Sequence, residues 1–295
     1  MRFSLWPDNE QPVDDVLAVA HRAETLGYDG IWMADHFMPS TPPLGAPVLE
    51  CFSVLAALAV TVPRLRLGSL VAGNTYRHPA LLAKQAATID QLSGGRLVLG
   101  IGAGWQENEH LAYGIDFFDV AGRLGRLEEA CALIRLLLDE PRADFAGRYY
   151  QLAGAPLEPK ARQAHLPLLV GGGGERVTLG IVARHADEWN TWGRPEVLAA
   201  KSAVLERHCA EAGRDPAGIA RSAQVLVELE PAGWEGDSRP PTVRGGVGEL
   251  QEMLGAYAAA GVGEFILPDW NLGRGQARDE RIERFLTEVA APFRA

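Results

Sequence analysis

Residues Arg96-Leu97-Val98-Leu99-Gly100-Ile101-Gly102-Ala103-Gly104-Trp105 run from a short apolar strand pattern directly into small residues. Glycine in a strand interior weakens it, so glycines at a strand end mark a place where something approaches the main chain without meeting a Cβ. In an α/β enzyme that end of the sheet carries the chemistry, and the approaching group expected here is a flat ligand.

On both sides of this stretch, short apolar runs alternate with amphipathic helical patterns, the signature of βα units around a parallel sheet. The predicted strands are Arg2 to Trp6, Gly30 to Ala34, Leu65 to Val71, Leu97 to Ile101, Leu168 to Val170, Glu188 to Asn190, Ala223 to Glu228 and Glu264 to Leu267. Their order predicts an α/β fold, a closed (β/α)8 TIM barrel with insertions at its carboxyl-terminal face. The 295 residues accommodate it as one domain over the whole chain.

The helices carry start and stop signals. Pro12 with Asp14 and Asp15 opens the first, and Gly27 closes it; Pro79 opens another, and Ser93-Gly94-Gly95 closes it, with His78 read as part of its cap. Leu124, Leu127, Cys131, Ile134 and Leu138 form one apolar stripe, and Val247, Leu250, Leu254 and Tyr257 another. Residues 103–120 and 139–167 are too long for plain βα connections. The second contains Phe145 to Leu152, which alternates like a short strand, and a third connection, Glu230 to Gly246, is rich in proline and glycine.

A net charge of −10 argues against nucleic-acid and anionic-membrane partners, leaving a small molecule as the expected one. Cys51, Cys131 and Cys209 are widely spaced, so neither a disulfide framework nor a zinc knuckle is expected. The N-terminus reaches Pro7 and Asp8 before any signal-like apolar run, and a cytoplasmic protein is expected.

The predicted strand ends are polar and aromatic: Asp35-His36-Phe37, Asn74-Thr75-Tyr76-Arg77-His78, Gly104-Trp105, Asn190-Thr191-Trp192, Glu228 and Glu230, and Asp269-Trp270-Asn271. Gly171-Gly172-Gly173-Gly174 leads into the helical pattern Glu175 to His185, and main-chain N–H groups at such a turn suit a phosphate. Adjacent strand residues face opposite ways, so Asp35 and His36 should not converge on one metal, and no metal site is predicted. His36 suits proton transfer or a hydrogen bond to a substrate oxygen, and a packed histidine is the alternative. His21, His110, His165, His185 and His208 read as surface or helix residues. Trp105, Trp192 and Trp270 either flank a planar ligand or fill the barrel mouth.

The Asp35-His36-Phe37 end, the run Gly68-Ser69-Leu70-Val71-Ala72-Gly73-Asn74-Thr75-Tyr76-Arg77-His78-Pro79, Ser93-Gly94-Gly95-Arg96-Leu97, the Gly-Ala-Gly-Trp turn and Gly171 to Gly174 together resemble the luciferase-like superfamily. Over nearly the whole chain the pattern is similar to its coenzyme F420-dependent branch. The resemblance implies a deazaflavin in the barrel mouth, its phosphate near Gly171, Gly172, Gly173 and Gly174 with Glu175 and Arg176, and a non-proline cis peptide at Leu70-Val71, or next at Val71-Ala72. It further implies that Asp35, Asn74 and Asn108 contact the cofactor beside Ala103 and Gly104, and that His36 is the active-site histidine.

One departure stands out. In the sugar-phosphate dehydrogenases of that branch, a glutamate occupies the place of Trp105, which moves no proton usefully; Glu107 or Glu109 would have to substitute. The resemblance therefore implies hydride transfer between coenzyme F420 and a small organic substrate, with His36 assisting and with Trp105 and Glu109 as further catalytic candidates, in a homodimer. A reduced-FMN-dependent monooxygenase of the same superfamily, a non-catalytic flavin- or deazaflavin-binding protein and a metal-dependent barrel hydrolase are the alternatives.

Overall fold

The computed structural model describes residues 1–229 and 240–294; Glu230, expected at the end of the seventh strand, lies outside the described residues. In chain order the elements are β1 (Arg2–Trp6), α1 (Val13–Leu26), β2 (Gly30–Met33), α2 (Cys51–Thr61), β3 (Arg66–Ser69), β4 (Ala72–Gly73), α3 (Pro79–Ser93), β5 (Leu97–Gly102), α4 (Glu107–Tyr113) and α5 (Val120–Asp139). They continue as β6 (Ala143–Ala146), β7 (Gln151–Ala155), β8 (Leu168–Gly171), α6 (Thr178–His185), β9 (Glu188–Trp192), α7 (Pro195–Glu211), β10 (Ala220–Gln224), β11 (Leu226–Glu228), β12 (Thr242–Arg244), α8 (Val247–Ala259), β13 (Glu264–Pro268) and α9 (Gly275–Arg284).

Eight parallel strands close on themselves in the order β1-β2-β3-β5-β8-β9-β10-β13, with β13 returning to β1, which is the (β/α)8 barrel expected. Side chains alternate across each strand, as the two-residue period requires. Phe3, Leu5, Ile31, Met33, Leu67, Leu99 and Val170 face outward under the helices. Trp6, Trp32, Ala34, Leu70, Val98, Leu169 and Ile266 pack inside the lumen. Burying one such large side chain contributes about 1.5–3 kcal/mol, and the filled lumen makes the barrel a packed core, with ligand sites in this fold at its mouth.

The helix signals act as read. Gly27 and Gly94 close α1 and α3 in the left-handed region, with φ of 83° and 74°. The His78 ring accepts the Ala80 N–H at 3.1 Å and caps α3. The three cysteines are free and buried.

Four expectations are corrected. The stretch read as one strand from Leu65 to Val71 is broken into β3 and β4 at the peptide bond 70–71. Ala223 to Glu228 is two strands: β10 stays in the barrel, whereas β11 leaves it and pairs with β12. Phe145 to Leu152 is the tip of the antiparallel β6–β7 hairpin, with the turn in the middle of the alternating run. The helix expected from Glu175 begins at Thr178, because residues 175–177 form a turn.

At the amino-terminal floor of the barrel, Glu264 is almost fully buried and receives hydrogen bonds from Ser4 Oγ at 2.6 Å, Trp32 Nε1 at 3.0 Å and Arg66 Nη1 at 2.7 Å. Arg2 also pairs with Glu264, and Arg66 reaches across to Glu188 at 2.6 Å. Burial and the neighbouring Glu264 charge push the Glu188 carboxyl above its ordinary value, against the pull of Arg66.

Candidate active site

The carboxyl-terminal mouth is shaped first by the bond between Leu70 and Val71, which is cis at the first of the two positions expected. Beyond it, the Val71 side chain lies between the ends of β5 and β8. A Cβ added to Gly102 would meet Val71 Cγ2 at 2.7 Å, one on Gly171 would meet Val71 Cγ1 at 2.8 Å, and one on Gly100 would stand 2.0 Å from the Ser69 carbonyl oxygen. The glycines are thus required by a close approach, but the approaching group is the protein's own bulge. The reading that they open the wall directly to a flat ligand is corrected accordingly.

His36 follows β2 with about a quarter of its side chain exposed. Its Nδ1 lies 2.8 Å from Glu109 Oε1, and the Phe37 N–H donates to Glu109 Oε2 at 2.7 Å. Tyr76 OH also donates to Glu109 Oε1. Glu109 comes from α4, inside the connection whose helix was not anticipated, and it is fully buried. Burial works to raise its pKa, but the hydrogen bonds from His36, the Phe37 N–H and Tyr76 prevail and hold it below the ordinary carboxylate value. Trp105 is about two-thirds exposed at the rim and presents its ring edge-on to His36, with centroids 5.4 Å apart.

Asp35 is buried, and its carboxylate receives Arg77 Nη1 at 2.6 Å, Arg77 Nη2 at 2.9 Å and the Gly73 N–H at 3.0 Å. It therefore fixes the β4 end, with both carboxylate oxygens engaged within the wall. Asn108 likewise donates to the Pro39 carbonyl at 3.1 Å and ties α4 to the segment after β2. Asn74 behaves differently. Its amide nitrogen donates to Tyr150 OH at 3.3 Å, whereas its buried Oδ1 has no partner among the described residues. Ala103 and Gly104 follow β5, and a Cβ on Gly104 would strike Thr75 Oγ1 at 2.7 Å. His110, read as a surface or helix residue, is fully buried and bridges the Gln106 carbonyl to Thr75 Oγ1, both at 2.7 Å.

The glycine-rich turn after β8 adds a cation that sequence reading missed. The Gly172 N–H bonds the Asn190 carbonyl at 2.9 Å, while the N–H groups of Gly173 and Gly174 take no acceptor among the described residues. Lys201, from α7, donates to the Gly173 carbonyl at 2.7 Å and pairs with Glu175 Oε1 at 3.2 Å. Arg176 lies exposed in the same turn. No local signal marks Lys201 in the sequence, because the helix that carries it starts two dozen residues after the glycines.

Across the mouth, Trp6, Trp192 and Trp270 form a three-ring cluster with centroids 4.8 to 5.7 Å apart. The half-exposed Trp270 forms the outer part, and Trp6, whose buried Nε1 has no partner among the described residues, the inner part. The mouth therefore combines a bulge seated on glycines, a histidine backed by a buried carboxylate, an aromatic wall and a main-chain turn with an adjacent lysine.

Fold and site define a parallel (β/α)8 barrel of the kind that binds its ligand at the strand carboxyl ends. The chain belongs to the luciferase-like monooxygenase family, whose model matches residues 1–231. An F420-dependent glucose-6-phosphate dehydrogenase of Amycolatopsis mediterranei is 33% identical over 173 residues, covering 58% of this chain and 50% of that protein. The chain spans about half the length of the dehydrogenases it matches in this way. Among solved structures, the coenzyme F420-dependent tetrahydromethanopterin reductase of Methanopyrus kandleri superposes with a TM-score of 0.84 at 17% identity, covering 99% of both chains. A monooxygenase from Streptomyces bottropensis superposes with a TM-score of 0.78 at 18% identity over 100% of both. Likeness at that identity carries the fold alone.

Proposed function

We propose that the protein is a coenzyme F420-dependent oxidoreductase acting on a small organic substrate, with His36 handling the proton. The observation that carries this reading is the His36–Glu109 pair at a barrel mouth that offers binding groups on its other sides. The match to F420-dependent dehydrogenases supports the cofactor assignment.

The residues present fit such a group. The N–H groups of Gly173 and Gly174, with Lys201 and Arg176 beside them, would hold a phosphate. The orphaned Asn74 Oδ1 would accept from a ring N–H or a hydroxyl, and the Val71 bulge would support a ring face. When bound, the deazaflavin supplies two-electron hydride chemistry. The protein's part is to orient the substrate against the tryptophan wall, limit access by water and exchange one proton at His36. Trp105 shields His36 at the rim and moves no proton.

Equilibrium titration of the purified protein with F420 and with FMN tests the assignment. Saturable F420 binding, weakened in a Gly173→Val variant that fills the turn, is expected. Tight FMN binding with no F420 binding would transfer the protein to the reduced-flavin monooxygenases.

A further inference from the structure

We infer that Glu109 and Tyr76 are positioning residues that place a proton on Nδ1 of His36 and so make Nε2 the atom that exchanges the substrate's proton. The catalytic use of Nε2 rests on the proposed function above; the assignment of the proton to Nδ1 does not.

Three donors meet on one buried carboxylate. Glu109 Oε2 takes the Phe37 N–H at 2.7 Å, and Oε1 takes Tyr76 OH and faces His36 Nδ1 at 2.8 Å. An ionised carboxylate only accepts hydrogen bonds, so Nδ1 must carry the hydrogen in that contact. Ionisation is what the surroundings favour, because the hydrogen bonds to Glu109 outweigh its burial. Tyr76 cannot reverse the direction: burial, its hydrogen bond to Glu109 and that group's charge push its own pKa up, so it remains a donor.

The ring has little freedom to turn away. Phe37 holds Glu109 from the adjacent main chain, the Phe37 ring packs on Tyr76 at 4.7 Å between centroids, and Trp105 stands edge-on to His36. With Nδ1 engaged, the neutral imidazole has its lone pair on Nε2, which has no hydrogen-bond partner among the described residues. When a substrate hydroxyl gives up its proton, Nε2 binds it and the ring becomes imidazolium beside the Glu109 charge. In the reverse direction the same proton returns to the substrate oxygen. No proton leaves Tyr76 or reaches Glu109 in either direction.

This also bears on the departure at Trp105. Glu109 lies behind the histidine and touches neither rim nor solvent, so it acts through His36 and does not replace an acid missing from the rim.

Nitrogen-15 spectra of histidine-labelled protein, without cofactor or substrate, test the assignment; loss of signals in a His36→Asn variant identifies the ring. The neutral His36 ring is expected with Nδ1 protonated and Nε2 bare. Glu109→Leu should abolish that preference. Tyr76→Phe, which retains the carboxylate and serves should the leucine variant not fold, should weaken it. With F420 bound at unchanged Kd, turnover should fall about 10- to 100-fold in Glu109→Leu, the range for losing a group that orients a functional histidine, and less in Tyr76→Phe. A wild-type proton on Nε2, a tautomer untouched in both variants, or full turnover in both would overturn the inference. Absence of F420 binding in the wild type would overturn the proposed function and leave the tautomer result to be read by itself.

Discussion

The two ends of the barrel are built from the same strands and treat polar groups in opposite ways. At the floor, Glu264 and Glu188 share Arg66, Ser4 and Trp32 complete the Glu264 shell, and Arg2 closes it from outside. At the mouth, among the described residues, Asn74 Oδ1 and Trp6 Nε1 are buried without partners and two N–H groups of the glycine turn have no acceptor. Unsatisfied buried groups cost free energy. One end therefore reads as a completed structural knot and the other as a surface awaiting a ligand.

The sharpest way to break this contrast is to remove a group that belongs to one end only. His36→Ala should lower turnover by about 10²- to 10⁴-fold, the range for a general acid or base, with F420 affinity unchanged in titration. Arg66→Met should do the converse. It leaves two buried carboxylates without their shared partner, and urea unfolding should show a loss of about 3–5 kcal/mol, with F420 affinity retained by the folded fraction. A stable Arg66→Met protein with lost cofactor binding would erase the division of labour.

A third test reads the mouth through pH. Asp269, at the mouth end of β13, is pushed up to about 6, first by burial and then by the Asp8 charge, against Arg278 and its hydrogen bonds to the Asp8 N–H and Gln11. A carboxyl whose folded pKa exceeds its ordinary 3.8 binds its proton better in the native state. Its contribution is fully favourable below about pH 4, declines as pH rises, and is lost above about 6. The change is about 3 kcal/mol at about 1.4 kcal/mol per unit. Asp269→Asn should remove that slope from a stability-versus-pH series, and an unaltered slope would assign it elsewhere.

The smallest expected effect sharpens the phosphate assignment. Lys201→Ala removes one charge-assisted contact, worth about 1.5–3 kcal/mol, so the Kd for F420 should rise about 10- to 100-fold. The Kd for the deazaflavin riboside without phosphate should not change. Equal losses for both ligands would detach Lys201 from the phosphate.

How much of this was legible in sequence follows from the range of each interaction. The barrel was, because strand period, helix stripes and the caps at Gly27, Gly94 and His78 are local signals. The bulge was placed at Leu70-Val71 by resemblance, yet its meaning for Gly100, Gly102 and Gly171 was not, since it depends on three strands meeting in space. His36 and Glu109 were both singled out, but as separate candidates; only folding puts residues 73 positions apart at 2.8 Å. Tyr76 stood in the quoted run without a role, Lys201 had no local mark, and His110, read as a surface or helix residue, does lie on α4 but is buried, because burial on a short helix follows from what covers it. The strand pattern misled at Phe145 to Leu152, where alternation continues through a hairpin tip.

The seating of Val71 on Gly102 and Gly171 also tells a protein engineer where this mouth can be enlarged and where it cannot. The glycine positions admit no addition, since any side chain there collides with valine methyl groups. Val71 itself is the removable part. Trimming it to alanine would open a slot floored by bare main chain of β5 and β8, wider by two methyl groups, without touching His36 or its supports. Ligand size could thus be retuned at a single codon, independently of the proton chemistry.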